Sequence, residues 1–170
     1  DMNYLADTFT TYGRMTLKAA SEHPQLIVWP ETTLPTVVTD DEWGKDIGAL
    51  ARIAGCDIAT GAYSPSSEKS NPLYYNSALL YGKSGHKLGA YNKVNLVPFG
   101  EFVPLRKQMP FISRYGVRDQ DVLQGKSHNL LNADIGKLGV SICFESAFPQ
   151  VSRIETKRGA EVLLIITNDA

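Results

Sequence analysis

The stretch QLIVWPE, residues 25–31, is apolar at successive positions and is stopped by Pro30. A continuous apolar run of this kind reads as a strand buried on both faces, not one wetted at alternate positions. Helical period precedes it: over 4–20, Leu5, Phe9, Tyr12 and Leu17 fall near one face, with Lys18 near the end. A second helical segment, DDEWGKDIGALARIAG, has an acidic first turn, an apolar set of Trp43, Ile47, Leu50 and Ile53, and Gly55 as its stop. CDIATGAYS then reads as the next buried strand. Strands that need cover on both faces, alternating with amphipathic helices, confine a chain to layered α/β folds.

The middle of the chain reads differently. SPSSEKSNP is polar and turn-rich, hence an exposed loop. LYYNSALLYG and HKLGAYNKV flank KSG as a strand pair with a tight turn. A long proline-bearing stretch, NLVPFGEFVPLRKQMPFISRYGV, follows; such segments in compact domains are usually functional or mobile. HNLLNADIGKLGVSICF reads as two strands turning near Asp134 to Lys137. A helix over 148–158 then precedes a last buried strand, EVLLIITND. Hairpins between flanking strand–helix units imply a mixed sheet.

The 170 residues match one domain with a sizeable core. A formal net charge of −1 supplies no electrostatic reason to expect nucleic acid or an anionic membrane as partner. The longest aliphatic run is VLLII, 162–166, far short of the roughly 20 residues a membrane helix needs. Cys56 and Cys143 form no disulfide framework and fit free thiols. His23, His86 and His128 lack metal-ligand spacing, and no metal or other cofactor is expected. Asp1 is not a natural start, and TNDA stops just past a strand. The chain therefore reads as a piece of a longer protein, with a C-terminal continuation that completes the fold.

Glu31, Lys93 and Cys143 each stand at or just beyond a predicted strand end. Ligands of open α/β sheets gather there. A thiol becomes a nucleophile where a base or a cation favours its thiolate. Glu31 suits the base, Lys93 suits an oxyanion, and Glu101, eight residues on, suits an orienting group. Taken singly, each has a plainer reading: a cap after Pro30, a solvated strand end, a loop charge, and core filler.

The contexts decide between these readings. LIVWPETTLP, YNKVNLVPFGEFVPL and GVSICFES occur in that order at the ends of elements. Together they resemble the nitrilase (carbon–nitrogen hydrolase) superfamily, and within it the periplasmic domain of the bacterial apolipoprotein N-acyltransferase branch. The resemblance covers about Leu26 to Ala170. It implies an α-β-β-α sandwich with mixed sheets and a catalytic triad at Glu31, Lys93 and Cys143. Glu101 falls on the family's additional glutamate. The residue after the nucleophile, often Tyr in this branch, is Phe144, which keeps the ring without the hydroxyl. Glu145 matches a branch glutamate; as a plain feature it reads as a charge at a helix N-terminus. Asn76 and Ser77 match as well and read as structural residues or as supports for the side chains of the triad; Asn168 reads as a turn former.

The resemblance further implies acyl transfer without a cofactor. A phospholipid is the acyl donor, a diacylglyceryl-cysteine lipoprotein the acceptor, and Cys143 carries the thioester. The parent enzyme would sit in the bacterial inner membrane through parts outside this chain, with this domain facing the periplasm. The segment Pro98 to Val117, which includes Phe99, Phe102, Val103, Leu105, Phe111 and Ile112, reads either as a lid over the acyl site or as ordinary core packing. Two other functions stay open: a soluble amidase of the same family that uses water as second nucleophile, and an inactive fragment or binding module. Cys56, at a strand start, is expected to be structural and remote from Cys143.

Overall fold

The computed structural model describes residues 2–40, 42–66, 73–104 and 122–168. Helix α1 (Met2–Ala20) leads into β1 (Leu26–Val28) and β2 (Leu34–Val37), followed by α2 (Trp43–Ala54). β3 (Asp57–Pro65), β4 (Tyr74–Tyr81) and β5 (Lys87–Asn92) come next, then β6 (Leu131–Ala133) and β7 (Gly136–Ile142). A 3₁₀ turn (Cys143–Ala147), α3 (Pro149–Lys157) and β8 (Val162–Ile166) complete the described chain.

Two mixed sheets form. In the first, β3 takes β1 and β2 as parallel neighbours along one edge and β4 as an antiparallel neighbour on the other; β5 lies beyond β4. In the second, β7 is central, antiparallel to β6 and parallel to β8. Strand alternation sorts the side chains into two cores. Ile58, Ala62, Leu79 and Tyr81 face the helices with Trp29, Ile47 and Leu50. Ala59, Ala78, Leu80 and Tyr91 face the other way and pack on Leu138, Val140, Ile142 and Ile166 of the second sheet. α3 packs on the outer face of β7. The layers are helix, sheet, sheet, helix, as the sequence implied. Asp57 joins the sheets at one end: its carboxylate accepts from the Lys83 N–H (2.9 Å) and the Asp134 N–H (2.7 Å), in the turns of the two hairpins.

Three expectations are corrected. The first strand is three residues of an edge and is half-buried, with Val28 exposed. Only β3 pairs with it among the described residues, so its other edge is open. β8 is likewise not buried on both faces. Val162, Leu164 and Ile166 turn toward β7's core, while Leu163 and Ile165 turn outward and are exposed, because the short α3 spans only part of that face. In α2 the buried stripe is Gly44, Ile47, Gly48, Leu50 and Ala51, and Ile53 is 70% exposed. Two positions past Ala51 turns a side chain by about 200°, off the inward face. The helix stop is as read: Gly55 adopts φ 70°, a left-handed cap that returns its N–H to the Ala51 carbonyl. Most of the SPSSEKSNP loop, residues 67–72, lies outside the described residues, as do Leu105, Phe111 and Ile112.

This layering predicts unequal costs for two aliphatic truncations. Leu79→Ala, in a fully buried position, is expected to cost about 2–5 kcal/mol. Ile53→Ala is expected to stay within about 0.5 kcal/mol of wild type. Urea unfolding of the two variants checks both.

Candidate active site

Four positions of the chain gather at one end of the first sheet. After β1, the Pro30–Glu31 corner lies directly on β3: Gly61 N–H donates to Pro30 O (3.1 Å) and Thr33 N–H to Gly61 O (3.0 Å). Only glycine fits at 61, because a Cβ there would sit 2.5 Å from the Glu31 Cα and from Pro30 O. Asn76 lies near the start of β4, and Lys93, one residue past β5, donates its N–H to Asn76 O (2.8 Å). Glu101 is held by its own loop, its Oε2 accepting the Val97 N–H at 2.9 Å.

These positions bring four polar side chains into one buried cluster. The Lys93 ammonium, 1% exposed, stands 2.9 Å from Glu101 Oε1 and 3.7 Å from Glu31 Oε1. Asn76 Nδ2 donates to Glu31 Oε1 (2.7 Å) and to Glu101 Oε1 (3.0 Å). Asn76 thus takes the supporting place the sequence offered it, since its amide clamps two carboxylates. Ser77 does not serve the site: its hydroxyl meets Ser64 Oγ (2.6 Å) and Asn92 Oδ1 (2.8 Å).

Cys143 is delivered separately, by β7. It opens the 3₁₀ turn with φ 51°, a left-handed conformation that costs a non-glycine residue roughly 1–3 kcal/mol and is typical of functional turns. Its side chain is partly exposed and takes no hydrogen bond among the described residues. The link to the Lys93 cluster runs through backbone, and Glu145 makes it. Glu145 is 0% exposed; its Oε1 accepts from Tyr91 Oη (2.8 Å), Val94 N–H (2.8 Å) and Asn95 N–H (3.0 Å). Its Oε2 accepts from Ile142 N–H at 2.9 Å. The residue after Lys93 and the residue before Cys143 thus donate to the same carboxylate. Reading Glu145 as a helix N-terminal charge captures only the Ile142 bond, the reciprocal half of a capping box. Burial first, then the Glu145 charge, pushes the Tyr91 hydroxyl far above its ordinary value, so it remains a neutral donor.

Two cavities flank the site. Beside Phe144 opens an apolar one of about 530 Å³, lined among the described residues chiefly by Leu96, Pro98, Phe102, Val122, Phe144 and Phe148. Glu31 lines the other, about 570 Å³, with the hydroxyl-bearing Tyr4, Thr8, Tyr12 and Thr33. Phe144 stacks edge-on against Phe148 at 5.0 Å. Phe99 is exposed, and Val103 is buried. Cys56 is free, buried and at the entry to β3; burial first, and Asp57 second, raise its thiol, which keeps it unreactive.

Sequence reasoning passed over Glu155. It lies in α3, 1% exposed, with Oε1 unpartnered among the described residues. Burial first, and the Glu145 charge second, push its carboxyl up to about 7, against an opposing hydrogen bond from Val140. A carboxylate four residues after the buried Val151, on the inward stripe of an amphipathic helix, was the available signal.

The family profile described as carbon-nitrogen hydrolase matches residues 4–170. An apolipoprotein N-acyltransferase of Geobacter metallireducens is 35% identical over 174 residues, covering 100% of this chain and 33% of its own length. One of Allorhizobium ampelinum is 34% identical over 165 residues, covering 89% of this chain and 30% of its own length. The chain therefore spans about a third of the length of these curated relatives. Among solved structures, the C. elegans NitFhit protein superposes with a TM-score of 0.75 at 21% identity, over 96% of this chain and 40% of that one.

Glu145→Gln replaces an oxygen acceptor by a donor and leaves at least one buried N–H without a partner. It is expected to lower stability by about 1–3 kcal/mol and to slow alkylation of Cys143, read by denaturation and peptide mass mapping. Glu155, raised from 4.5 to about 7 in the folded state, contributes stability fully below pH 4.5 and loses it as pH rises through 7. Glu155→Gln should match wild type in urea unfolding at pH 4.5 and exceed it by about 1–3 kcal/mol at pH 8.

Proposed function

The chain belongs to the carbon–nitrogen hydrolase family, and on that premise we propose that it is the catalytic domain of an N-acyltransferase. In this reading residues 1–170 are part of a longer protein that transfers a fatty acyl chain from a phospholipid to the N-terminal amine of a diacylglyceryl-cysteine lipoprotein. The domain would face the bacterial periplasm, with attachment to the inner membrane through other parts of that protein. Support comes from the activity for which the relatives are named and from one observation: an apolar cavity of about 530 Å³ opens beside Phe144, next to the thiol-bearing turn. A hydrolase of small polar amides calls for a smaller, wetter pocket.

The proposed chemistry gives each group a defined part. Glu31 takes the proton of Cys143, and the thiolate attacks the ester carbonyl of the lipid. The Lys93 ammonium and the Phe144 N–H stabilise the oxyanion. The C–O bond breaks, and the lysophospholipid oxygen leaves with the proton from Glu31. The acceptor amine then attacks the thioester and gives its proton to Glu31. An amide forms, and the released thiolate recovers that proton. Asn76 and Glu101 hold Glu31 and Lys93 in register: Asn76 donates to both carboxylates, and Glu101 pairs with the ammonium. Phe144 lacks a hydroxyl, so only its N–H and ring are available to the intermediate.

Incubating the intact protein with phospholipid should add one acyl mass to the peptide carrying Cys143. Cys143→Ala should remove the adduct and the transfer activity together, and Lys93→Met should slow adduct formation by about 100- to 1,000-fold. Acylation by a small amide but never by phospholipid would assign the site to an amidase instead.

A further inference from the structure

Two buried carboxyl groups meet the last part of β7: Glu145 accepts the Ile142 N–H, and Glu155, from α3, abuts Gly139. Glu145 has four donors on its two oxygens. Glu155 has one oxygen close against Gly139 and the other with no partner among the described residues. Gly139 makes the room: a Cβ there would fall 2.8 Å from Glu155 Oε2. Among the described residues, no cationic side chain pairs with either carboxyl. β7 presents only Ser141 as a polar side chain in its buried stretch. β5 offers Tyr91, a neutral hydroxyl, backed by His128 Nδ1 at 3.3 Å. The 3₁₀ turn contributes Glu145 and Cys143. On α3 itself Arg153 and Lys157 are exposed, and Arg158, just past its end, has its guanidinium on the His128 carbonyl.

Two buried carboxyls near one another and unpaired by cations do not both ionise without rearrangement. The donors decide which one keeps the proton. Four hydrogen bonds hold Glu145 as the acceptor, and Glu155 is left to carry the proton. We propose that Glu155 is a proton-holding positioning residue for Cys143: while protonated it lets Glu145 hold Val94, Asn95 and Ile142 in place, and its ionisation loosens that anchor and disfavours the thiolate. The inference concerns the turn that carries Cys143 and builds on the reading of that thiol as the nucleophile. Its effect is measurable with an alkylating agent whether or not lipid is the substrate.

The test is the rate of Cys143 alkylation by iodoacetamide on the intact protein, from pH 5.5 to 8.5, with peptide mapping to separate Cys56. Glu155→Gln mimics the protonated carboxyl at every pH. The ratio of its rate to that of wild type is expected near one below pH 6, rising at least threefold by pH 8.5 with a midpoint near 7. Glu155→Leu, which also removes the charge, should follow the same rise and stands in if the Gln variant does not fold. A ratio that stays flat with pH, or that falls, overturns the proposal. A residue that only fills space would shift the rate equally at all pH values. Loss of lipid transfer in Cys143→Ala bears on the acyltransferase reading alone, so the two can fail independently.

Discussion

The Glu145 carboxylate is the constraint on which the site depends. Hydrogen bonds to an ionised acceptor are shorter and stronger than neutral ones. Here four donors from three places converge on one side chain: the hydroxyl of β5's Tyr91, two N–H groups of the chain leaving β5, and one from the end of β7. The two sheets pack face to face through apolar side chains, which fix spacing but tolerate sliding. A buried carboxylate with directional bonds to both does not tolerate it. It converts the exits of β5 and β7 into one rigid corner, with Lys93 on one side of it and Cys143 on the other.

The charged cluster follows from strand register. Pairing of Ser77 with Asn92 brings Asn76 against Lys93, and pairing of Ala62 with Ser77 sets β3 alongside. Glycine at 61 lets the Pro30–Glu31 corner rest on that same end of β3. The segment Val122–Gly125 closes the corner from outside: Val122 N–H bonds Glu101 O, and Gly125 N–H bonds Lys93 O, both at 2.8 Å. Lys93 therefore lies buried between two carboxylates, one of them hydrogen-bonded to it at 2.9 Å, and pairing of this kind is what lets a buried ion persist.

Much of this was legible in advance, for identifiable reasons. The helix ending at Gly55, the hairpins around KSG and around Asp134 to Lys137, and the burial of β3 all follow from periodicity and turn chemistry acting over a few residues. The errors concern what lies beyond those residues. QLIVW and VLLII are equally apolar on both sides, yet β1 is an edge and β8 is covered on one face, because burial depends on which neighbours arrive. Ile53 looked like part of the α2 stripe and is exposed, since the contact with the sheet is centred on Ile47 and Ala51.

For the site, the sequence alone determined the residue types and their order. A glutamate after WP, a lysine after YN, and a cysteine at the end of GVSI are local facts, each set by the strand end it occupies. Tertiary structure decided what they are joined to. Asn76 became a clamp between carboxylates, Glu145 a bridge between two loops, and Glu155 a buried acid facing a glycine. The physical reason is that hydrogen bonds and desolvation act at about 3 Å in space, and most of these partners stand well apart along the chain, Asn76 from Glu31 by 45 residues and Val94 from Glu145 by 51.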